Sequence, residues 1–378
     1  MARRQSGLTF LALLVVLHAY LWLRLLPAMG IGFGGMVLGA AVLALSAVLV
    51  RIGLVAPSLR RTRWSEQLAW TGLLSMGFFS SLFVLTLMRD VLLFGLYLTG
   101  YGNPEITRGS AIGVPLLALL VTIIGFINAR RVARVVRVEV PIAGLPAALH
   151  GYSIAQISDV HVGPTIRRAY LNAIVNKVNA LKPDAIAVTG DLVDGSVQRL
   201  AMHTAPLARL AAPDGAFFVT GNHEYYSGAE QWIAEVRRLG LHVLLNEHVI
   251  RRRGSAALMI AGVTDYSAGQ FIAAHKSDAR LAAAGAPDDV AVRILLAHQP
   301  RSAPAAAAAG FDLQLSGHTH GGQFWPWGHF VRFQQPFTAG LHRLGRLQVY
   351  VSRGTGYWGP PKRLGAPSEI TLVRLVSA

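Results

Sequence analysis

Four long apolar runs fill the first 130 residues, and no other feature limits the fold so severely. Residues 8–26, 29–50, about 68–98 and 111–127 each approach or exceed the roughly 20 apolar residues that carry a helix across a bilayer. In hydrocarbon the backbone must satisfy its own hydrogen bonds, so such runs become helices. The expectation for residues 1–130 is therefore an all-α transmembrane bundle of about four helices. Basic residues precede the first run, but no convincing small-x-small cleavage site follows it, and the later spans favour an uncleaved anchor. The third run carries Arg89 and Asp90. Either the two pair, or the span stops at Met88 and an interfacial stretch follows, because isolated charge at mid-membrane is costly.

The formal net charge is +16, and arginine supplies most of it. Arg3 and Arg4, then Arg51, Arg60, Arg61 and Arg63, then Arg130, Arg131, Arg134 and Arg137 fall in alternate connections, while the intervening loops hold little beyond Arg108. The positive-inside bias then predicts a multi-pass inner (cell) membrane protein with both termini, and the domain after the spans, on the cytoplasmic side. The same arginines would meet anionic headgroups, so membrane lipids are expected partners. The chain has no cysteine, which excludes disulfides, thiolate metal sites and thiol catalysis.

Residues 131–150 read as a basic linker leading into a globular domain over 151–378, long enough to bury its own core. In that domain one pattern recurs: an apolar strand runs into a polar residue of ligand type. Residues 153–157 lead to Asp159 and His161, and 185–188 lead through a glycine to Asp191 and Asp194. Residues 215–219 lead to Asn222, His223 and Glu224; "VRILLAHQP" ends on His298; and 311–315 deliver His318 and His320. Each motif alone has an ordinary explanation as a cap, a turn or a core histidine. Five in succession do not. In open α/β sheets, sites gather at the carboxyl ends of strands, so these groups are expected to converge. Carboxylate, imidazole and amide donors without thiolate suit divalent manganese, iron or zinc.

The ordered set Asp159-x-His161, Gly190-Asp191-x-x-Asp194, Gly221-Asn222-His223-Glu224, His298 and Gly317-His318-x-His320 resembles the calcineurin-like metallophosphoesterase superfamily. The membrane region in front and the tail "YVSRGTGYWGPPKRLGAPSEITLVRL" resemble its bacterial membrane-associated subfamily. Strand and helix alternation alone supports only α/β; the resemblance implies two facing mixed sheets flanked by helices. It also implies two divalent ions, manganese foremost. Asp159, His161, Asp191 and His320 would surround the first, with Asp191 bridging, and Asn222, His298 and His318 would complete the second. His223 would sit over the leaving group as general acid, and metal-activated hydroxide would attack phosphorus in line. Asp194 and Glu224 are expected to orient other groups rather than to ligate.

A phosphoester substrate follows, of the phosphodiester or pyrophosphate kind and lipid-linked in preference to soluble. The alternatives are a phosphomonoesterase or protein phosphatase of the same fold, and a non-catalytic membrane scaffold or sensor. The aromatics Phe324, Trp325, Trp327, Tyr357 and Trp358 are expected to lie near the site or near the bilayer, or to serve as packing and loop anchors; Arg353, Lys362 and Arg363 are expected to meet a substrate phosphate or anionic lipid, with Arg363 alternatively supporting the ligand residues from behind. Nucleic acid is a poor fit, because the basic residues gather beside the spans instead of interleaving with aromatics. The final strand, about 369–376, reads as an edge or closing strand. Nothing in the sequence assigns an oligomeric state.

Overall fold

The computed structural model describes residues 2–55 and 64–378, with side chains from residue 9 onward. Arg60, Arg61 and Arg63, and the side chains of Arg3 and Arg4, lie outside the described residues. The chain divides into two compact units, Met1–Ile127 with Gly359–Lys362 and Asn128–Trp358 with Arg363–Ala378.

Among the described residues of the first unit, the helices are α1 (Ala2–Met29), α2 (Gly32–Val55), α3 (Ser65–Leu98) and α4 (Pro104–Arg130), whose last three residues pass into the second unit. All four are long and apolar enough to cross a membrane. Small residues let them approach closely: a Cβ added at Gly72 of α3 would lie 2.4 Å from the backbone nitrogen of Gly53 in α2. Arg89 and Asp90 do pair, at 3.4 Å, and α3 continues unbroken past them to Leu98. The buried Arg89 also donates to Ser110 Oγ and the Thr107 carbonyl, both at 2.9 Å, while Asp90 accepts from Arg24 at 2.8 Å and from the Tyr20 hydroxyl at 2.6 Å. Lys362 meets neither of its two expected partners. It is buried in the helical unit, where Nζ donates to the Gly77 carbonyl at 2.9 Å, to Thr122 Oγ1 at 3.1 Å and to Ser81 Oγ.

The second unit contains, among the described residues, the strands β1 (Arg134–Ile142), β2 (Ser153–Ile157), β3 (Ala185–Thr189), β4 (Ala216–Val219), β5 (His242–Val243), β6 (Glu247–Arg253), β7 (Ala256–Gly262), β8 (Val290–Leu296), β9 (Leu313–Ser316), β10 (Gly340–Leu344), β11 (Leu347–Val351) and β12 (Glu369–Ser377). They form two six-stranded sheets, ordered β1-β12-β2-β3-β4-β5 and β10-β11-β9-β8-β7-β6. Both are mixed: β2, β3, β4 and β5 run parallel, as do β7, β8, β9 and β11, while β12 against β2, β6 against β7 and β10 against β11 are antiparallel.

Three apolar layers show how the sheets pack. The inner layer joins Ile154, Ala187, Phe217 and Val219 of the first sheet to Leu258, Ile260, Ile294 and Leu315 of the second. The outer face of the first sheet is covered by α5 (Arg168–Ala180), through Leu171, Ile174 and Val178, and further along the chain by Trp232 and Val236. Alanines 279, 282, 303 and 306 cover Met259, Ala261 and Leu295 on the far side of the second sheet. The result is the αββα layering: two buried sheet faces and two helix-covered ones. Strands wetted on neither face read as continuous apolar runs, which is why β3 and β4 are so plain in the sequence.

The edge reading of 369–376 is corrected. β12 lies inside the first sheet, antiparallel to β2 on one side and parallel to β1 on the other, in register from Arg134↔Glu369 to Ile142↔Ser377. The pleat buries the first five residues of β12, so a second neighbour is needed for its backbone groups, and β1 supplies it.

Candidate metal centre

The parallel strands aim their carboxyl ends at one place, and the loops that follow are tied together there. The Asp159 amide donates to the Gly190 carbonyl at 3.0 Å, the His161 amide to the Asp191 carbonyl at 3.2 Å, and the Gly317 amide to the His298 carbonyl at 2.9 Å. Each bond couples the loop after one strand to the loop after the next. Asn222 opens a short helix, α6 (Val197–Thr204) having intervened, and α7 (Asn222–Ser227) carries His223 and Glu224 in its first turn.

The backbone is strained where the site is built. Asp159, His161, Asp191, His318 and His320 all have left-handed φ, between 50° and 69°, and only Lys182, Asn246 and Gln323 join them among the described non-glycine residues. Such conformations cost on the order of 1–3 kcal/mol each and persist only where the surroundings over-determine them. Glycine makes room for the closest approaches. A Cβ on Gly317 would lie 2.0 Å from Ser158 Oγ and 2.1 Å from Asp159 Oδ2, and one on Gly221 would lie 2.2 Å from Asp191 Oδ1.

The side chains meet in overlapping groups. On one side stand Asp159, His161 and His320, with His161 Nε2 3.0 Å from His320 Nε2, and His320 Nε2 3.5 Å from Asp159 Oδ1. On the other stand Asp191, His298 and His318, with His298 Nε2 3.2 Å from both Asp191 Oδ2 and His318 Nδ1. Asp191 Oδ2 belongs to both sides, since it also lies 3.9 Å from His161 Nε2. Asn222 is buried beside them, and its Oδ1 has no hydrogen-bond partner among the described residues.

That arrangement fits divalent cations. His161 turns Nδ1 on Asp194 and His298 turns Nδ1 on the Thr189 carbonyl at 2.8 Å, so in each ring Nδ1 is the committed donor and Nε2 is the atom left toward the site. A buried carboxylate shared by imidazole nitrogens and an orphaned amide oxygen are costly without positive charge among them. The oxygen and imidazole donor set is that of a borderline-to-hard divalent ion, and divalent metal binding follows from the fold and these positions.

The electrostatics agree. Burial pushes the Asp159 carboxyl up from its ordinary value. Burial acts on Asp191 in the same sense, but the imidazoles of His298 and His223 outweigh it and hold that carboxyl well below the usual range. Burial and the neighbouring charge of His298 take His318 down to about 3, which keeps its lone pair free.

Around the ligand-type residues lies a second set. Asp194 Oδ1 accepts from Nδ1 of His161 at 3.0 Å and of His223 at 2.6 Å. Glu224, fully buried, accepts from the amides of Gly221 at 2.6 Å, Leu192 at 2.8 Å and Asp191 at 3.0 Å, and so fixes the two loops that carry Asp191 and Asn222. Arg363 is also buried, and its guanidinium donates to the carbonyls of Arg353 at 2.7 Å, His320 at 2.9 Å and Ala366 at 3.2 Å and to His320 Nδ1 at 3.1 Å. With its donors committed inward, Arg363 orients His320 and is not free for a substrate phosphate or a lipid. Arg353 pairs with Glu369 at 3.1 Å.

His223 faces outward. Its Nε2 lies 3.9 Å from Asp191 Oδ2, and its ring is flanked by Tyr226 at 5.2 Å and Trp358 at 5.7 Å between centroids. Tyr226 was not singled out in the sequence. It sits three residues after His223 on α7, a spacing that puts two side chains on one helix face, and that spacing is the signal. Of the other aromatics, Trp325 and Trp327 are partly exposed, while Phe324 and Tyr357 are buried. The Tyr357 hydroxyl donates to the Thr165 carbonyl at 3.3 Å, a packing role.

Comparison with known proteins agrees with this geometry. Residues 152–322 match the family model for the calcineurin-like phosphoesterase. Two vertebrate proteins called transmembrane protein with metallophosphoesterase domain are similar: that of Bos taurus is 39% identical over 73% of this chain and 65% of its own length, and that of Danio rerio 36% identical over 70% and 63%. The chain thus spans just under two thirds of these relatives. An uncharacterized metallophosphoesterase of Aquifex aeolicus is 34% identical over 59% of this chain and 84% of its own length.

Proposed function

The chain belongs to the calcineurin-like metallophosphoesterase family, and from that premise we propose that it is a membrane-anchored, two-metal hydrolase of phosphodiester or pyrophosphate bonds with a lipid-linked substrate. Metal-dependent phosphoester hydrolysis is the family's chemistry. The observation that carries the two-metal reading is the position of Asp191, whose Oδ2 lies 3.2 Å from His298 Nε2 and 3.9 Å from His161 Nε2, one from each ligand group. A carboxylate between two ligand sets is what a bridged pair of ions requires.

Asp159, His161, Asp191 and His320 would hold one ion and Asn222, His298, His318 and the shared Asp191 the other. Manganese is the leading candidate, with iron or zinc as substitutes. Bound ions would supply positive charge against the phosphate oxygens and acidity for a water. The remaining work belongs to the chain. Asp194 holds His161 and His223 in fixed tautomers, with Nδ1 toward the carboxylate. His223 is then left with Nε2 toward the open side, where a proton can pass to the departing oxygen. The Asp191 and Asp194 charges outweigh burial and lift this imidazole to about 9, so that it carries that proton at neutral pH.

Two features support a lipid-linked substrate. The chain carries helices able to cross a membrane, and the His223 ring is flanked by two exposed aromatics, Tyr226 and Trp358. Exposed rings beside the reacting position suit an amphiphile better than a soluble ester. By the positive-inside bias, the arginines after α4 support a cytoplasmic position for this unit at the cell membrane. The test is metal content and turnover of bis(p-nitrophenyl) phosphate by the purified full chain, beside Asp191→Asn and His223→Ala, followed by lipid-linked pyrophosphates. Manganese-stimulated turnover lost in both variants is expected. Bound metal with preference for monoesters would favour the phosphomonoesterase alternative, and folded protein with neither metal nor turnover would favour a scaffold.

A further inference from the structure

Of the four arginines at and just after the end of the last span, Arg130 is engaged: its Nη1 donates to the Thr165 carbonyl at 2.8 Å and to the Tyr357 hydroxyl at 3.1 Å. Arg131 and Arg134 are different. Both are exposed, and among the described residues neither guanidinium makes an ion pair or a hydrogen bond. They stand at the walls of a cavity of about 180 Å3, whose other polar lining comes from Asn128, Arg363 and Ser368. No carboxylate lines it.

The cavity is a built one. The Arg134 amide donates to the Ser368 carbonyl at 3.1 Å, the Asn128 side chain donates to the Arg363 carbonyl at 3.3 Å, and Arg363 is buried beneath. Two arginines lining a pocket without acid, neither guanidinium engaged elsewhere among the described residues, match a phosphate group, whose oxygens accept from planar forks of donors. Position selects the source. α4 is long and apolar enough to span a membrane and ends at Arg130, so Arg131 follows the span directly and Arg134 begins the strand three residues later. Continuity of the chain alone sets these residues at the depth of headgroups, where basic pockets meet anionic lipid.

We propose that this pocket binds the phosphate of an anionic phospholipid headgroup through Arg131 and Arg134, apart from the metal centre. The site needs no catalysis to be detected. Purified full-length protein in a mild non-ionic detergent is titrated with phosphatidylglycerol and, separately, with phosphatidylcholine, and bound lipid is counted by native mass spectrometry. Preference for phosphatidylglycerol is expected, and Arg131→Gln with Arg134→Gln should weaken the first binding step by roughly 30-fold, the product of two headgroup-level charges. Arg131→Lys with Arg134→Lys should restore most of it. Arg137→Gln, an exposed arginine outside the cavity, should not matter. Equal weakening by Arg137→Gln, or equal binding by the double glutamine variant, would overturn the proposal. So would displacement of the lipid by millimolar glycerol phosphate, which would assign the pocket to a soluble phosphate.

Discussion

His161 and His223 turn their Nδ1 atoms on the same oxygen, Asp194 Oδ1, at 3.0 and 2.6 Å. One carboxylate thereby fixes the tautomer of a proposed ligand and of the proposed general acid, and their rings meet edge to face with centroids 4.7 Å apart. Because a neutral amide oxygen accepts more weakly than a carboxylate and brings no charge to either ring, Asp194→Asn should impair both roles. Losses of about 10- to 100-fold in metal affinity and activity are typical of such outer partners. Metal titration followed by turnover at saturating metal separates the two. Unchanged affinity and unchanged turnover would remove Asp194 from the site.

His223→Ala makes a sharper test of proton transfer. A nitrophenolate departs without help, whereas an alkoxide needs a proton as the bond breaks, and general acid catalysis contributes about 10²- to 10⁴-fold in such cases. The variant should therefore lose much more activity on an alkyl phosphodiester than on bis(p-nitrophenyl) phosphate, with its metal content intact. Equal losses on both would mean that His223 positions substrate and donates nothing.

Gly317 has no tolerance for a side chain. An alanine methyl would need the space held by Ser158 Oγ and Asp159 Oδ2, at 2.0 and 2.1 Å from its Cβ. These are groups at the centre of the fold, so Gly317→Ala should cost about 2–3 kcal/mol or more and displace Asp159. A lowered unfolding temperature together with weakened metal binding is the expected pair of results.

Much of this is legible in the amino-acid sequence, and the reason is geometric. Parallel strands buried on both faces read as short apolar runs, and a strand must end where its polar residues begin, so Ile157, Thr189, Val219, Leu296 and Ser316 mark the rim of the site. What escaped depends on contacts between distant segments. The pairing of β12 with β1 joins Glu369 to Arg134 across most of the second unit, and no local pattern records it. The left-handed φ of Asp159 and His161 is invisible because neither residue is glycine. Lys362 reads as a surface cation because lysine usually is one, but Gly125 leaves space for its stem: a Cβ there would lie 2.6 Å from Lys362 Cγ.

The pH dependence of stability has one contribution far from the metal centre. Asp184 Oδ2 accepts from the Ser153 amide at 2.7 Å and hydroxyl at 2.9 Å, and Oδ1 from Arg253. Burial pushes this carboxyl up, but the Ser153 amide, the Arg253 guanidinium and the Ser153 hydroxyl outweigh it and hold it below its ordinary value. A lowered folded value means stability that is fully present above the unfolded pKa, near about 4, and is lost as pH falls through the folded one. Asp184→Asn should thus cost ~1–2 kcal/mol at pH 7 and progressively less below pH ~4. Denaturation midpoints of the two proteins across that range should converge on the acid side; a constant gap would mean that the charge contributes nothing.

Arg363 joins stability to the site more directly. Its planar guanidinium reaches the carbonyls of Arg353, Gly356, His320 and Ala366 and the Nδ1 of His320 at once, which ties the loop before β12 to the loop that carries the last ligand-type histidine. Lysine keeps the charge but offers a point instead of a fork, so Arg363→Lys leaves several buried carbonyls without a donor. The cost should be about 2–4 kcal/mol, or on the order of 5–15 °C in unfolding temperature for a unit of this size. The effect on the site should be distinguishable from the effect on the fold. Freed of its Nδ1 partner, His320 can rotate, so metal affinity should fall even well below the unfolding temperature. His318, which has no contact with Arg363, should keep its place. Metal binding with two unequal steps in the parent should then lose mainly the step served by Asp159, His161 and His320. Uniform weakening of both steps, in step with the loss of stability, would show that Arg363 only holds the loops together.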